Sequence, residues 1–168
     1  MSASSPVVCI AALGRGYGKT TIIQGVTRLL TSKGMRVCVI KHSSHRINNE
    51  PEKDTSRFIE SGASASAALT NEGKAVLYLP NSTLEATISL MSKMGTDIIL
   101  CEGFKSSSYP KLVIARSPEE FPIIEKLHGV IGIIFDGTVP DTKLPVLKRD
   151  PSTIADFIIL HLRSVTKE

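Results

Sequence analysis

The residue pattern predicts an α/β fold: a mainly parallel β-sheet flanked by helices, in three α/β/α layers. Three observations carry that prediction. Short β-branched runs alternate with helical repeats, as in successive βαβ units. The first run, from Val7 to Leu13, is apolar throughout, as a strand covered on both faces must be. A glycine-rich turn then joins it to an amphipathic segment.

The elements follow in order. After the turn, Ile22, Ile23, Val26, Leu29 and Leu30 recur at helical spacing, and Gly34 supplies the usual C-terminal stop. Residues 36–41 form a second strand that runs into a polar loop. Residues 54–60 read as a short helix stopped by Gly62, and residues 65–69 and 75–79 as short strands. Residues 84–94 are helical, with Leu84, Ile88, Met91 and Met94 on one side. Residues 97–101, 111–115 and 130–135 are further strands, and residues 136–144 are loop. Asp150-Pro-Ser-Thr153 opens a last helix carrying Ile154, Phe157, Ile158 and Leu162, with proline in the first turn, where no N–H is needed. No repeat, linker or low-complexity tract interrupts the chain, so residues 1–168 read as a single domain.

Composition narrows the function classes. With 42% hydrophobic and 21% charged residues, the chain is ordinary globular protein rather than disorder. A net charge of +4 suits a phosphate-bearing ligand but is too modest to argue for nucleic acid. Aromatic residues are few and not interleaved with basic ones, which excludes a platform for stacked single strands. The N-terminus lacks a basic start and long apolar core, and nothing approaches the roughly 20 apolar residues that span a bilayer. A cytoplasmic protein without membrane contact is expected. Cys9, Cys38 and Cys101 each lie in apolar runs, where free thiols behave as small hydrophobes rather than metal ligands.

The segment that carries chemistry is Gly14, Arg15, Gly16, Tyr17, Gly18, Lys19, Thr20 and Thr21, between the first strand and first helix. Glycines let backbone N–H groups curl around phosphates, and the helix start adds unpaired N–H groups and its dipole. Lys19 places a full charge on the outer phosphates, and the Thr20 hydroxyl is the expected Mg²⁺ ligand. The spacing departs from G-x-x-x-x-G-K-[ST] in one respect: Leu13 stands where the first glycine belongs, and Gly14 follows one place late. The strand–turn–helix context still predicts a P-loop NTPase fold.

Three other places are candidates. Glu102 closes an apolar strand, so it is either a Mg²⁺-shell carboxylate acting through water or a solvated strand end. His42 and His45 leave the second strand, as contacts for an anion, as metal ligands, or as plain loop. Asp54 either pairs with Arg57 across one helical turn or approaches the metal or attacking water. No N-K-x-D segment reads guanine, and no glutamine or arginine is placed to speed hydrolysis, so any turnover is slow.

The ordered set of Gly18-Lys-Thr-Thr21, Ile40-Lys-His-Ser-Ser-His45, Lys53-Asp-Thr-Ser-Arg57 with Ser61-Gly-Ala63, and Cys101-Glu-Gly-Phe-Lys105 resembles the molybdopterin-guanine dinucleotide biosynthesis adaptor family, MobB. Pro145-Val-Leu147 and Ile154-Ala-Asp-Phe-Ile158 resemble its closing strand and helix. The resemblance implies a GTP-binding homodimer with weak GTPase activity. It would work beside the MobA-like molybdenum cofactor guanylyltransferase that joins GMP to molybdopterin. It implies that Gly16, Gly18, Lys19, Thr20 and Thr21 bind phosphates and Mg²⁺, that Glu102 serves the metal or water, and that Asp54 assists. His42, His45 and Lys105 would line the pocket or meet the pterin. The competing readings are a small-molecule kinase of the same fold, disfavoured because no arginine-rich lid is present, and a binding module without nucleotide turnover.

Overall fold

The computed structural model describes residues 4–43 and 53–165. In chain order the elements are β1 (Val7–Ala12), α1 (Lys19–Ser32), β2 (Val37–Lys41), α2 (Lys53–Glu60), β3 (Ser66–Leu69), β4 (Ala75–Tyr78) and α3 (Leu84–Lys93). They continue with β5 (Ile98–Glu102), β6 (Lys111–Ile114), a 3-10 turn at Pro118–Glu120, α4 (Phe121–Ile124), β7 (Val130–Ile134), β8 (Val146–Leu147) and α5 (Pro151–Val165). The chain divides into two compact units, residues 43–87 and the remainder.

The larger unit is built on a six-stranded sheet in the order β2-β5-β1-β6-β7-β8, every pair parallel. β1, β5 and β6 are buried along their whole length, which is why, Glu102 and Lys111 apart, their sequences are apolar without alternation. Val8, Ile10 and Ala12 pack one face of the sheet against Ile22, Ile23, Val26 and Leu30 of α1 and Ile154, Ala155 and Ile158 of α5. The alternate residues Ala11, Val113, Ala115 and Ile133 pack the other face with Phe121, Ile124 and Phe135. Phe121 meets Phe135 edge-on at 5.3 Å between ring centroids. This is the predicted three-layer arrangement.

Gly25 sits inside α1, where glycine ordinarily weakens a helix by about 1 kcal/mol relative to alanine. A Cβ there would lie 2.6 Å from the Pro151 ring, so the glycine lets α1 and α5 close on each other. Cys9 and Cys101 are buried free thiols and Cys38 is half-buried, as expected. Lys111, fully buried at the start of β6, donates to the carbonyls of Ser107, Tyr109 and His128. Burial lowers its pKa, and the three carbonyls make it a structural clamp.

Two elements go beyond the residue-level prediction. The segment 118–124 is helical where no helix was expected, because its apolar content is only Phe121, Ile123 and Ile124, too short for a period to register. β8 is two residues long; only the resemblance marked it.

The smaller unit holds α2 and the antiparallel β3–β4 hairpin, with Ser66 opposite Tyr78 and Leu69 opposite Ala75. Gly62, at φ +103°, ends α2, and Ala63 N–H reaches back to the Phe58 carbonyl at 3.0 Å, alongside Gly62 N–H to the Ile59 carbonyl at 2.9 Å. Ser66 ties the hairpin to α2 by donating to the Thr55 carbonyl at 3.1 Å. Leu69, Val76, Leu77 and Tyr78 of the hairpin and Phe58 of α2 are all exposed.

Candidate functional site

Parallel pairing sets the site. Ile10 of β1 lies level with Glu102 of β5, which in turn lies level with Lys41 of β2. The carboxyl ends of three strands therefore open on one edge, where ligands of open α/β sheets gather. β1 leads there into residues 13–18, and α1 begins at Lys19.

The loop is shaped by left-handed glycines. Gly16 and Gly18 have φ of +73° and +79°, conformations that side-chain-bearing residues seldom adopt. Gly18 is the N-cap of α1, with no side-chain cap on the helix N-terminus, leaving the first-turn N–H groups available to an anion. Lys19 Nζ donates to the Gly14 carbonyl at 3.1 Å, arching over the loop it is expected to serve. The displaced glycine has a packing reason. Leu13 packs on the core around Phe121, while a Cβ on Gly14 would meet the Tyr17 ring at 3.2 Å.

At the base of the loop, the Thr20 hydroxyl lies 3.0 Å from both carboxylate oxygens of Glu102, to which it donates. Glu102 is only 9% exposed, and Lys41 Nζ stands 3.4 Å from one of its oxygens. A hydroxyl and a carboxylate converging beside a glycine-rich loop form the hard-oxygen donor set that Mg²⁺ prefers. Two protein ligands suffice, because that ion keeps water and takes phosphate oxygens. Thr20 and Glu102 thus fit the metal.

The next residues keep to the same edge. Gly103 has φ +97° and Phe104, unusually for a non-glycine, +53°. This turn brings the Phe104 ring against His42, edge-on at 5.2 Å. His42 N–H donates to the Glu102 carbonyl at 3.0 Å. Lys105 Nζ lies 3.5 Å from the Leu13 carbonyl, at the loop's entry. Gly14, Arg15, Gly16, Tyr17, Gly18, Lys19, Thr20, Glu102, His42 and Lys105 therefore share one region, and Thr21 follows exposed in the first turn of α1.

Residues 7–136 match the family model for molybdopterin guanine dinucleotide synthesis protein B, MobB. The chain belongs to the MobB family. It is similar to a probable molybdopterin-guanine dinucleotide biosynthesis adapter protein of Bacillus subtilis, at 31% identity over 94% of both chains. The adapter protein of Haemophilus influenzae is 32% identical, over 85% of this chain and 82% of that one. The solved structure of Bacillus subtilis MobB superposes with a TM-score of 0.70 at 28% identity, covering 92% of this chain and 96% of that chain.

The MobB match takes in the loop, Glu102 and α2. Asp54, on α2 in the smaller unit, pairs with Arg57 at 3.4 Å, both side chains largely exposed. His45 lies outside the described residues. Among the described residues, no group of three or more His, Cys, Asp or Glu side chains is placed to hold a metal. Sequence reasoning missed Lys41 as the partner of Glu102, and it missed Arg116 and Glu120. The Arg116 guanidinium donates to the Gly16 carbonyl and lies 4.2 Å from the Tyr17 ring centroid. Glu120 accepts from the Tyr17 hydroxyl and, at 2.9 Å, from Arg116 N–H. No motif spacing announces contacts made across 100 residues; the only signal was a charged cluster, Arg116 to Glu120, just past an apolar strand.

Proposed function

We propose that this chain is an adapter in molybdopterin guanine dinucleotide synthesis that binds GTP with Mg²⁺ on the loop Gly14–Thr21 and hydrolyses it slowly. Its partner is the MobA-like guanylyltransferase that joins GMP to molybdopterin. The observation that carries the nucleotide reading is the Thr20–Glu102 contact beside a loop in which Gly16 and Gly18 are left-handed. The adapter role draws on family membership and on the names of its relatives. In this reading Lys19 and the loop N–H groups hold phosphates, and Thr20 and Glu102 hold Mg²⁺, which neutralises phosphate charge. His42 and Lys105 line the rim, with His45 as a further candidate, where they meet nucleotide or pterin. Asp54 is an accessory carboxylate.

Calorimetry with GTP, ATP and CTP, with and without Mg²⁺, tests the site, and a guanylylation assay with the partner enzyme tests the role. GTP is expected to bind in a Mg²⁺-dependent way, and added protein should raise dinucleotide formation. Preference for ATP with a phosphorylated metabolite as product, or no nucleotide binding at all, would overturn the reading.

The protein is further proposed to act as a homodimer in the cytoplasm. Leu69 and Leu77, exposed on the same face of the β3–β4 hairpin in the smaller unit, support a covered face, since exposed apolar patches mark contact sites. Leu69→Lys with Leu77→Lys is expected to shift the mass measured by light scattering from dimer to monomer. A monomeric wild type would refute the dimer, and recovery of the protein in a membrane fraction would refute the location. Among the described residues no helix is long and apolar enough to cross a membrane.

A further inference from the structure

A phosphate cradle needs its amides turned inward, and in a continuous backbone that requires carbonyls turned outward and satisfied elsewhere. Residues 14–18 contain three glycines, so the free loop has many conformations to lose on binding. Something outside the loop must hold it.

The contacts that do so come from the segment after β6. The Arg116 guanidinium donates to the Gly16 carbonyl at the loop tip. Its central carbon lies over the Tyr17 ring, 4.2 Å from the centroid, within cation–π range. The Tyr17 hydroxyl donates to one oxygen of Glu120, and the other oxygen accepts Arg116 N–H at 2.9 Å. The circuit closes on itself: loop tip to Arg116, Arg116 to Glu120, Glu120 back to Tyr17 in the loop. Every member has a partner, so each contact fixes the orientation of the next. The Tyr17 phenol is correspondingly held above its ordinary pKa, chiefly by its hydrogen bond to Glu120.

We infer that Arg116, seated by Glu120 and lying over Tyr17, is a positioning residue that holds the phosphate loop ready for a nucleotide by binding the carbonyl of Gly16. It does not touch the ligand; it reduces the ordering that binding would otherwise require. The inference rests on the loop being a GTP site, and the test separates the two.

Amide hydrogen exchange of residues 14–18 is measured in the unliganded protein, and GTP and GDP affinities are measured alongside. Arg116→Ala is expected to speed exchange in the loop and to weaken both nucleotides by about tenfold. Arg116→Lys, which keeps a donor for the carbonyl but loses the planar stack, should recover part of both effects. Tyr17→Phe removes only the hydroxyl and is the variant least able to disturb folding; it should speed exchange measurably. Lys19→Ala should weaken binding far more than it alters exchange, since its own contact with the loop is an exposed bond to the Gly14 carbonyl. Unaltered exchange in Arg116→Ala would overturn the inference. So would a loss confined to GTP, which would make Arg116 a direct contact of the third phosphate. Failure of the wild type to bind GTP would sink the nucleotide reading, while the exchange data would still decide whether the brace exists.

Discussion

Lys19→Ala is expected to weaken GTP binding about 100-fold, equivalent to ~2.7 kcal/mol, with no loss of the fold. The expectation follows from what Lys19 does in the structure and what the alanine would leave behind. Its hydrogen bond to the Gly14 carbonyl is exposed and contributes little to stability. A triphosphate would exchange that neutral acceptor for charged oxygens, and hydrogen bonds between charged groups are worth roughly 1.5–3 kcal/mol each. Arginine should restore little, because its planar fork does not fit where a compact ammonium arches over a loop. Calorimetry on variant and wild type, with thermal melts in parallel, checks this. A change below about threefold, less than ~0.7 kcal/mol, with unchanged melting would show that the loop does not anchor the ligand.

The second large effect concerns Glu102. In Glu102→Gln the charge disappears, while the side chain still accepts one bond and fits the same space. Without Mg²⁺ the carboxylate repels a phosphate, so the variant should bind bare GTP as well as the wild type or better. With Mg²⁺ the sign reverses, since the lost carboxylate no longer holds the ion's shell. The ratio of Mg²⁺-bound to Mg²⁺-free affinity should therefore collapse by about 10–100-fold, the range found when a metal's supporting ligands are removed. Hydrolysis should fall with it. Folding should change little, because glutamine keeps an acceptor for the Thr20 hydroxyl and Lys41, exposed on its own side, returns to water. An unchanged ratio would reduce Glu102 to a strand-end charge. Asp54→Asn belongs in the same assay: slower turnover at an unchanged ratio marks an assisting carboxylate. No effect on either leaves Asp54 to its exposed pair with Arg57.

Much of this was legible in the residues. The βαβ alternation announced itself because each strand is a buried apolar run and each long helix carries a complete face, as Ile22, Ile23, Val26 and Leu30 show. The loop was legible because glycine, lysine and threonine at fixed offsets serve one local purpose. Glu102 was visible as a carboxylate ending an apolar strand, although that left its role open between metal ligand and solvated charge. Its contact with Thr20, 82 residues away, is a fact of strand order: β5 pairs directly with β1, and nothing local says so. The helical turn at 118–124 escaped because it is shorter than the period that would reveal it.

The sequence by itself determined the class of fold, the glycine-rich loop between β1 and α1, and the family, since all three rest on local spacing and on motifs that recur in order along the chain. Only the tertiary structure decided which distant residues meet that loop. Lys41 reaches Glu102 because β2 pairs with β5, and Arg116 reaches Gly16 because β6 pairs with β1. It also showed why glycine suits position 14: a Cβ there would crowd the Tyr17 ring at 3.2 Å. Such contacts depend on the order of strands in the sheet, which arises from packing the whole chain and leaves no periodic trace in any one segment.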